Sequence, residues 1–144
     1  MTCTFETAKE EDLDLLFCLN KNLIDKYEDL SSINYPAVIS WVRKNLQDNL
    51  PHFRRVLVDG EVAAYFCLIP GEPKWELDSL FVLEPFQNKG IGSAVLDHSI
   101  CRSDGKLYFY VFSRNAGAVR LYERKGFAIK EKIGSTRYIM EYGN

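Results

Sequence analysis

The stretch FQNKGIGSAVLDHSI, from Phe86 to Ile100, joins a polar turn with two glycines to a run of apolar residues at helical spacing. A helix N-terminus carries unpaired N–H groups and the positive end of the helix dipole. Gly90 and Gly92 leave those N–H groups uncovered, so a phosphate group can approach them closely. Four neighbouring residues add polar groups: Gln87, Asn88, Lys89 and Ser93. The stretch therefore predicts a pyrophosphate site, although such glycines are also typical of a tight turn.

The segments on either side of this stretch predict alternating strands and helices. Before it, WELDSLFVL (residues 75–83) predicts a strand that stops at Pro85, where a ladder N–H group is lost. After it, KLYFYVF (106–112) predicts another strand. NAGAVRLYERKG (115–126) then predicts a short helix that Gly126 ends. This half of the chain is therefore expected to contain two crossover helices.

The remaining segments predict two N-terminal helices and two hairpins. CTFETA (3–8) predicts a first strand, and apolar residues recur at helical spacing over 13–27 and again over 38–46. Asp59-Gly60 is a strong hairpin signal, and Gly134-Ser135 separates two further β-rich runs. The predicted order is β-α-α-β-β-β-α-β-α-β-β. This order indicates an α/β fold with a single mixed, twisted sheet of about six to seven strands and helices on both faces.

Length and composition predict one ordinary globular domain over residues 1–144. A chain of this length buries a sufficient core without a disulfide or a metal. Hydrophobic residues make up 47% and charged residues 26% of the chain, and no apolar run approaches the roughly eighteen residues of a membrane span. The mixed, acidic N-terminus does not resemble a signal peptide. We therefore expect a cytoplasmic protein.

Cysteine spacing and net charge exclude further classes of protein. The four cysteines lack the paired spacing of a disulfide framework or a zinc site, so we expect reduced thiols and no bound metal. The net charge is -2 without a dense run of Lys and Arg, which argues against nucleic-acid binding. His52 and His98 have no Ser, Cys or carboxylate at a spacing that would indicate a catalytic pair, so both are predicted to be structural.

Two motifs in the second half of the chain point to one family. The patterns of a P-loop and of a Rossmann dinucleotide site are both absent. The segment Gln87-Asn88-Lys89-Gly90-Ile91-Gly92 matches Gln-x-x-Gly-x-Gly/Ala, and Asn115–Phe127 matches Asn-x-x-Ala-x-x-Leu-Tyr-Glu-x-x-Gly-Phe. In this order the two motifs resemble the GNAT superfamily of N-acetyltransferases. The motif-bearing resemblance covers about Trp75 to Phe127, while the predicted order of elements agrees with the GNAT fold over essentially the whole chain.

This resemblance implies that acetyl-CoA is the acetyl donor and that no metal takes part. The backbone N–H groups of Asn88 to Ser93 are expected to hold the pyrophosphate, with Gln87 and Lys89 beside it. The end of the preceding strand is expected to splay from its neighbour and to pair with the pantetheine arm through Leu80, Phe81 and Val82. In the second motif three residues are expected to contact the CoA arm: Asn115, Ala118 and Tyr122.

Acetyl transfer to an amine requires a neutral nucleophile, because an ammonium group has no lone pair with which to attack a thioester. Glu76 lies eleven residues before Gln87, the offset at which family members with a glutamate base carry that residue. Strand alternation places Asp78 on the same face as Glu76, so either carboxylate is a candidate to take the proton through water. A solvated strand edge or a salt bridge is the competing interpretation of both residues.

Tyr122 matches the tyrosine that acts as general acid in many members of the family. A phenol is still protonated at neutral pH, so it can donate a proton to the leaving thiolate. Ala118, Leu121 and Tyr122 also form an apolar group at helical spacing, so a core tyrosine is the competing interpretation.

The acceptor is expected to be a small-molecule primary amine. Negative charge that would attract a cationic amine comes from Glu28, Asp29, Glu76 and Asp78. Three tyrosines are candidates to line the acceptor pocket: Tyr65, Tyr108 and Tyr110. A protein or peptide amine, or a non-catalytic module that senses acetyl-CoA, remain as alternatives. The final β-rich run, TRYIMEY, offers an edge for pairing in a homodimer.

Overall fold

Seven strands and four α-helices follow one another in the predicted order in the computed structural model, which describes residues 2–143. The strands are β1 Cys3–Thr7, β2 Phe53–Val58, β3 Glu61–Ile69, β4 Trp75–Val82, β5 Leu107–Phe112, β6 Phe127–Ile133 and β7 Arg137–Tyr142. The helices are α1 Leu13–Tyr27, α2 Tyr35–Asn49, α3 Ile91–Arg102 and α4 Ala116–Arg124. None of the helices within residues 2–143 has the length and apolar character needed to cross a bilayer.

The strands form a single mixed sheet, as predicted, in the order β1-β2-β3-β4-β5-β7-β6. The pairing of β4 with β5 is parallel, and the other neighbouring strands pair antiparallel. The expectation that the run TRYIMEY offers a free edge is wrong, because β7 lies between β5 and β6 and pairs with both. Within the described chain the edges of the sheet belong to β1 and β6.

Helices cover both faces of the sheet. On one face α3 and α4 lie over a core that includes Phe66, Leu107, Phe109 and Met140. On the other face α1 and α2 cover a second core that includes Phe53, Tyr65 and Cys67. Because consecutive residues of a strand point to opposite faces, β3 contributes to both cores and is buried on both sides.

A buried carboxylate fixes the start of α1 against the sheet. Asp12 accepts hydrogen bonds from Arg55 Nε at 2.9 Å, from Tyr65 Oη at 2.7 Å and from the Lys9 N–H at 2.8 Å. Burial alone would raise the pKa of Asp12, but these donors, Arg55 first among them, lower it. Tyr65 is only 2% exposed and its hydroxyl is held by Asp12. The structure therefore places Tyr65 in the core and not in an acceptor pocket.

Candidate active site

The parallel strands β4 and β5 separate soon after they begin. Their register contains two residue pairs, Trp75 with Leu107 and Glu76 with Tyr108. Beyond this point β4 continues along β3 to Val82, while β5 continues along β7 to Phe112. A strand paired on one side directs alternate N–H and C=O groups to the other side. The second half of β4, which includes Leu80, Phe81 and Val82, therefore presents free backbone groups to a wedge-shaped gap.

A β-bulge in β4 lies where the gap opens. Cys67 of β3 pairs with Ser79 and Leu68 pairs with Leu77, so Asp78 has no partner in β3. Such a bulge bends its strand and increases the local twist. It also changes the alternation: Leu77 packs in the core beneath α3, and after the bulge Leu80 and Val82 do so. The bulge is therefore part of the reason that β4 turns away from β5.

Glu76 and Asp78 lie together on the face of the sheet that α1 and α2 cover. Burial first, and then the charge of Asp78, raises the pKa of Glu76, although the Tyr108 hydroxyl donates to Glu76 Oε1 at 3.4 Å. Burial also raises the pKa of Asp78, against the opposing effect of hydrogen bonds from Ser79 and Asn45. Both carboxyl groups therefore hold a proton more readily than an ordinary surface carboxyl. Sequence reasoning missed Asn45, which α2 brings to Asp78.

An aromatic wall extends from these carboxylates along β5. The rings of Tyr108 and Tyr110 lie on the same strand face with their centroids 6.2 Å apart, and Tyr110 is 46% exposed. Phe112 continues the row and stacks on Tyr27 of α1 at 6.2 Å. Of the three tyrosines predicted for the acceptor pocket, Tyr108 thus contacts Glu76 and Tyr110 lies next to Tyr108, and the wall ends at the last residue of α1.

Glu28 connects the α1–α2 loop to the hairpin between β6 and β7. Thr136 Oγ1 donates to Glu28 Oε1 at 2.7 Å, and Thr136 is 7% exposed. The same oxygen accepts from the Asp29 N–H at 3.1 Å. Glu28 therefore uses one carboxylate oxygen to hold the two segments together at the far end of the aromatic wall.

The loop from Gln87 to Ser93 presents backbone donors at the start of α3. Gly90 caps the helix at φ 83° and provides no side-chain hydrogen bond, and Asn88 is also left-handed at φ 62°. The first N–H groups of the helix have no intrahelical acceptors, and these are the groups of Ile91, Gly92 and Ser93. Gln87 Nε2 donates to the Val82 carbonyl at 3.0 Å, which joins the loop to the end of β4. Lys89 is exposed beside the glycines.

α4 lies beside this loop on the same face of the sheet. A Cβ atom built on Gly92 would lie 3.5 Å from Leu121 Cδ2 and 3.9 Å from Val82 Cγ2, so the start of α3 fits closely between α4 and β4. Asn115 caps α4, with its side-chain oxygen accepting from the Ala118 N–H at 3.4 Å. Ala118 itself is half-buried against the core.

Tyr122 packs in the core of the domain but keeps its hydroxyl group unpaired among the described residues. Its ring packs on Phe109, with the centroids 4.4 Å apart, and lies 6.3 Å from Phe127. Burial raises the pKa of its hydroxyl to about 12. Within residues 2–143 that hydroxyl has no hydrogen-bond partner, yet the atom is not sealed from solvent. A protonated donor is therefore held by core packing without an internal acceptor.

Comparison with known proteins agrees with this geometry. The model of the acetyltransferase (GNAT) family matches residues 16–127, so the chain belongs to that family and is an acetyl-CoA-dependent acetyltransferase, as the two motifs predicted. A comparison with curated proteins gives no match. Among solved structures, the chain is similar to the PaiA N-acetyltransferase from Thermoplasma acidophilum in complex with coenzyme A, at 20% identity and a TM-score of 0.72 over 100% of both chains.

Two further solved structures show the same fold. Arabidopsis thaliana Naa50 in complex with the bisubstrate analogue CoA-Ac-MVNAL is 19% identical, with a TM-score of 0.71 over 100% of both chains. The ribosomal-protein-S18-alanine N-acetyltransferase from Escherichia coli is 20% identical, with a TM-score of 0.67 over 98% of this chain and 93% of that one. Together they confirm the predicted GNAT fold.

The left-handed cap at Gly90 gives a direct test of the loop. We expect Gly90→Val to weaken CoA binding by about tenfold or more, because a β-branched residue disfavours φ 83° and displaces the donors. Gly60→Val is the matched control: Gly60 has φ 81° and an equally open surrounding, in the remote β2–β3 turn. Both variants should lose about 1–2 kcal/mol of stability. Calorimetric titration with CoA measures the affinities, and an equal loss in both variants would contradict this role of the loop.

Proposed function

We propose that the protein transfers the acetyl group of acetyl-CoA to a primary amine of a small molecule, by direct attack of the amine on the thioester. Glu76 serves as the base, directly or through a water molecule, and Tyr122 serves as the acid at the leaving sulfur. The observation that carries this proposal is the position of Glu76. Its half-buried carboxyl group, with a raised pKa, stands where β4 and β5 part and faces the α1–α2 side.

The residues present fit the shape and charge of CoA. Uncovered N–H groups at the start of α3, with the dipole of a helix of 12 residues, suit a pyrophosphate. Lys89 adds a point charge beside them. The gap between β4 and β5 accommodates an extended arm. Those backbone groups of Leu80 to Val82 that face away from β3 are available to pair with its amides, apart from the Val82 carbonyl that Gln87 Nε2 contacts. Asn115 and Ala118 at the start of α4 lie across the gap from β4.

The paired carboxylates suit the acceptor. A primary alkyl amine has a pKa of about 10, so it arrives as an ammonium ion at neutral pH. Glu76 and Asp78 attract that ion, and Glu76 then takes its proton. A base with a raised pKa accepts a proton more readily than an ordinary carboxylate. Tyr108 and Tyr110 line the approach, and their ring faces favour a cation.

Attack of the amine moves negative charge onto the thioester oxygen. The backbone N–H groups of Leu80 to Val82 that face the gap are placed to stabilise it, since they have no partner in β5. Removing one donor of this kind typically costs about 3 kcal/mol of transition-state stabilisation. The free edge of β4 thus serves both to hold the donor substrate and to support the reaction.

The pKa of Tyr122 defines how it assists the leaving group. A thiol has an ordinary pKa of about 8.5, so complete proton transfer from a phenol of pKa about 12 is uphill by about 5 kcal/mol. A hydrogen bond from the phenol to the developing thiolate does not carry that cost. Tyr122 therefore acts chiefly by hydrogen-bonding the sulfur as its charge develops, and it keeps its own proton. The thiolate takes up, through solvent, the second proton that the amine nitrogen loses as it becomes an amide.

The bond between Glu28 and Thr136 supports a small acceptor over a peptide. It joins the α1–α2 loop to the β6–β7 hairpin at the far end of the aromatic wall. A groove closed at that end suits a compact amine better than an extended chain. Naa50 was solved with a peptide-like bisubstrate analogue, and the Escherichia coli enzyme acts on an alanine of a ribosomal protein. At about 20% identity this likeness extends to the fold alone, so a peptide amine is the alternative that the assay must include.

The proposal is tested by measuring free CoA chromatographically after incubation of the protein with acetyl-CoA and a panel of amines. The panel contains small alkyl amines, polyamines, amino acids and short peptides. We expect release with a small amine and little with peptides. Tyr122→Phe should lower kcat by about a hundredfold while acetyl-CoA affinity is retained. Release with peptides alone would contradict the small acceptor, and no release despite retained binding would contradict catalysis.

The pH dependence of turnover tests the role of Glu76. The charge of Asp78 contributes to the raised pKa of Glu76, so Asp78→Asn should lower that pKa. A base works when deprotonated, and the acid limb of the kcat/KM profile should therefore move to lower pH. Asp48→Asn is the control, because Asp48 is an exposed partner of Lys44 on α2. An acid limb that stays in place, or moves to higher pH, would show that Glu76 is not the base.

A further inference from the structure

A cavity of about 290 Å³ lies between the second half of α3 and the sheet, at the end of the domain opposite the glycine loop. Four basic side chains line it: His52, Arg54, His98 and Arg102. Phe66, Leu68 and Trp75 supply apolar surface. α3 is about 18 Å long, and it begins at the pyrophosphate loop and ends at Arg102. The cavity is therefore separate from the site described above.

The arginines that line this cavity have no carboxylate partner among the described residues. Within residues 2–143 neither Arg54 nor Arg102 forms an ion pair. Glu6 also lines the cavity, but its carboxylate accepts from Arg55 Nη1 at 3.0 Å. Burial first, and then the charges of Arg102 and Arg54, lowers the pKa of His98. The positive charges of Arg54 and Arg102 therefore act on the His98 imidazole, and neither arginine has a counterion among the described residues.

Internal contacts orient three of these basic groups, although Arg102 remains exposed. Arg54 Nη1 donates to the carbonyl oxygens of Pro51 and Phe53 at 2.8 and 3.1 Å, which leaves its other nitrogens free. The Arg102 guanidinium lies over the Trp75 ring, 5.8 Å from its centroid. The His98 ring meets Phe5 edge to face at 4.7 Å. Arg54 and His98 are restrained in this way, so they lose little freedom when they bind an anion.

The volume and the lining indicate what the cavity holds. A water molecule takes up about 30 Å³ in the liquid. The cavity of about 290 Å³ is therefore larger than a bare inorganic anion would fill. We propose that it binds a small organic anion, with a phosphate or carboxylate head on Arg54, Arg102 and His98. The apolar body of the ligand lies against Trp75 and Leu68. This inference stands independently of the acetyl acceptor and of the roles of Glu76 and Tyr122.

The sequence contains two histidines, and both line this cavity. Histidine-selective NMR therefore reports on the cavity without a signal from the acetyl-CoA loop. Phenyl phosphate and benzoate are the anionic probes, and benzyl alcohol is the neutral control of similar shape. We expect at least one anion to shift the His98 ring signals saturably at millimolar concentration and to raise the pKa of His98. The tighter of the two anions identifies the head group.

Arg102→Gln should weaken the tighter anion by about tenfold, because a charged donor is lost. Arg102→Lys should retain part of the affinity. Arg124→Gln is the matched control. Arg124 is exposed in the last turn of α4, and Arg102 is exposed in the last turn of α3. The proposal is overturned by the absence of a saturable shift with both anions, by an equal response to benzyl alcohol, or by an unchanged affinity in Arg102→Gln.

Discussion

The parallel pairing of β4 with β5 consists of two residue pairs, Trp75 with Leu107 and Glu76 with Tyr108. Those pairs join the half of the sheet formed by β1 to β4 to the half formed by β5, β7 and β6. Elsewhere the two halves are connected through the core beneath α3 and α4. β4 remains paired with β3, and β5 remains paired with β7. The separation therefore leaves one edge of β4 and one edge of β5 unpaired while both halves of the sheet stay intact. Free backbone groups that would be a liability at an exposed edge are available in a gap to pair with a bound molecule.

In the proposed mechanism, this separation lets the two faces of the sheet contribute to one site. The face with α3 and α4 carries the glycine loop, the cap at Asn115 and the Tyr122 hydroxyl. The opposite face carries Glu76, Asp78 and the row of aromatic side chains that begins at Tyr108. In an unbroken sheet the backbone ladder would divide these groups. In the proposed mechanism, a thioester that enters the gap from the first face meets an amine held on the second.

Local signals in the sequence predicted most of the fold. Asp59 and Gly60 take the positive φ values, 52° and 81°, that their hairpin signal requires. Gly126, at φ 97°, follows the end of α4 as predicted, and the helix predicted after the glycines ends at Arg102. In each case the residues that determine the structure are neighbours in the chain. The glycine loop was predictable for the same reason, since its donors lie in one short segment.

The features that the sequence did not reveal depend on distant residues. The bulge at Asp78 is defined by the register of β4 with β3, and no glycine in the sequence marks its position. The place of β7 between β5 and β6 depends on long-range pairing. The sequence around Tyr65 indicates only a strand, because the residue that binds its hydroxyl group, Asp12, lies 53 residues earlier in the chain. Glu28 and Thr136 are 108 residues apart, so their bond at the far end of the aromatic wall has no local signature.

Amide hydrogen exchange with and without CoA tests the central claim most directly. If the gap and the loop hold the donor, CoA should slow exchange at Asn88 to Ser93 and at those amides of Leu80 to Val82 that face away from β3. The amides of β1 and β2, which lie far from the gap, should be unchanged. Protection at β1 and β2, or at the cavity beside Arg54, without protection of the loop and of β4 would contradict the account.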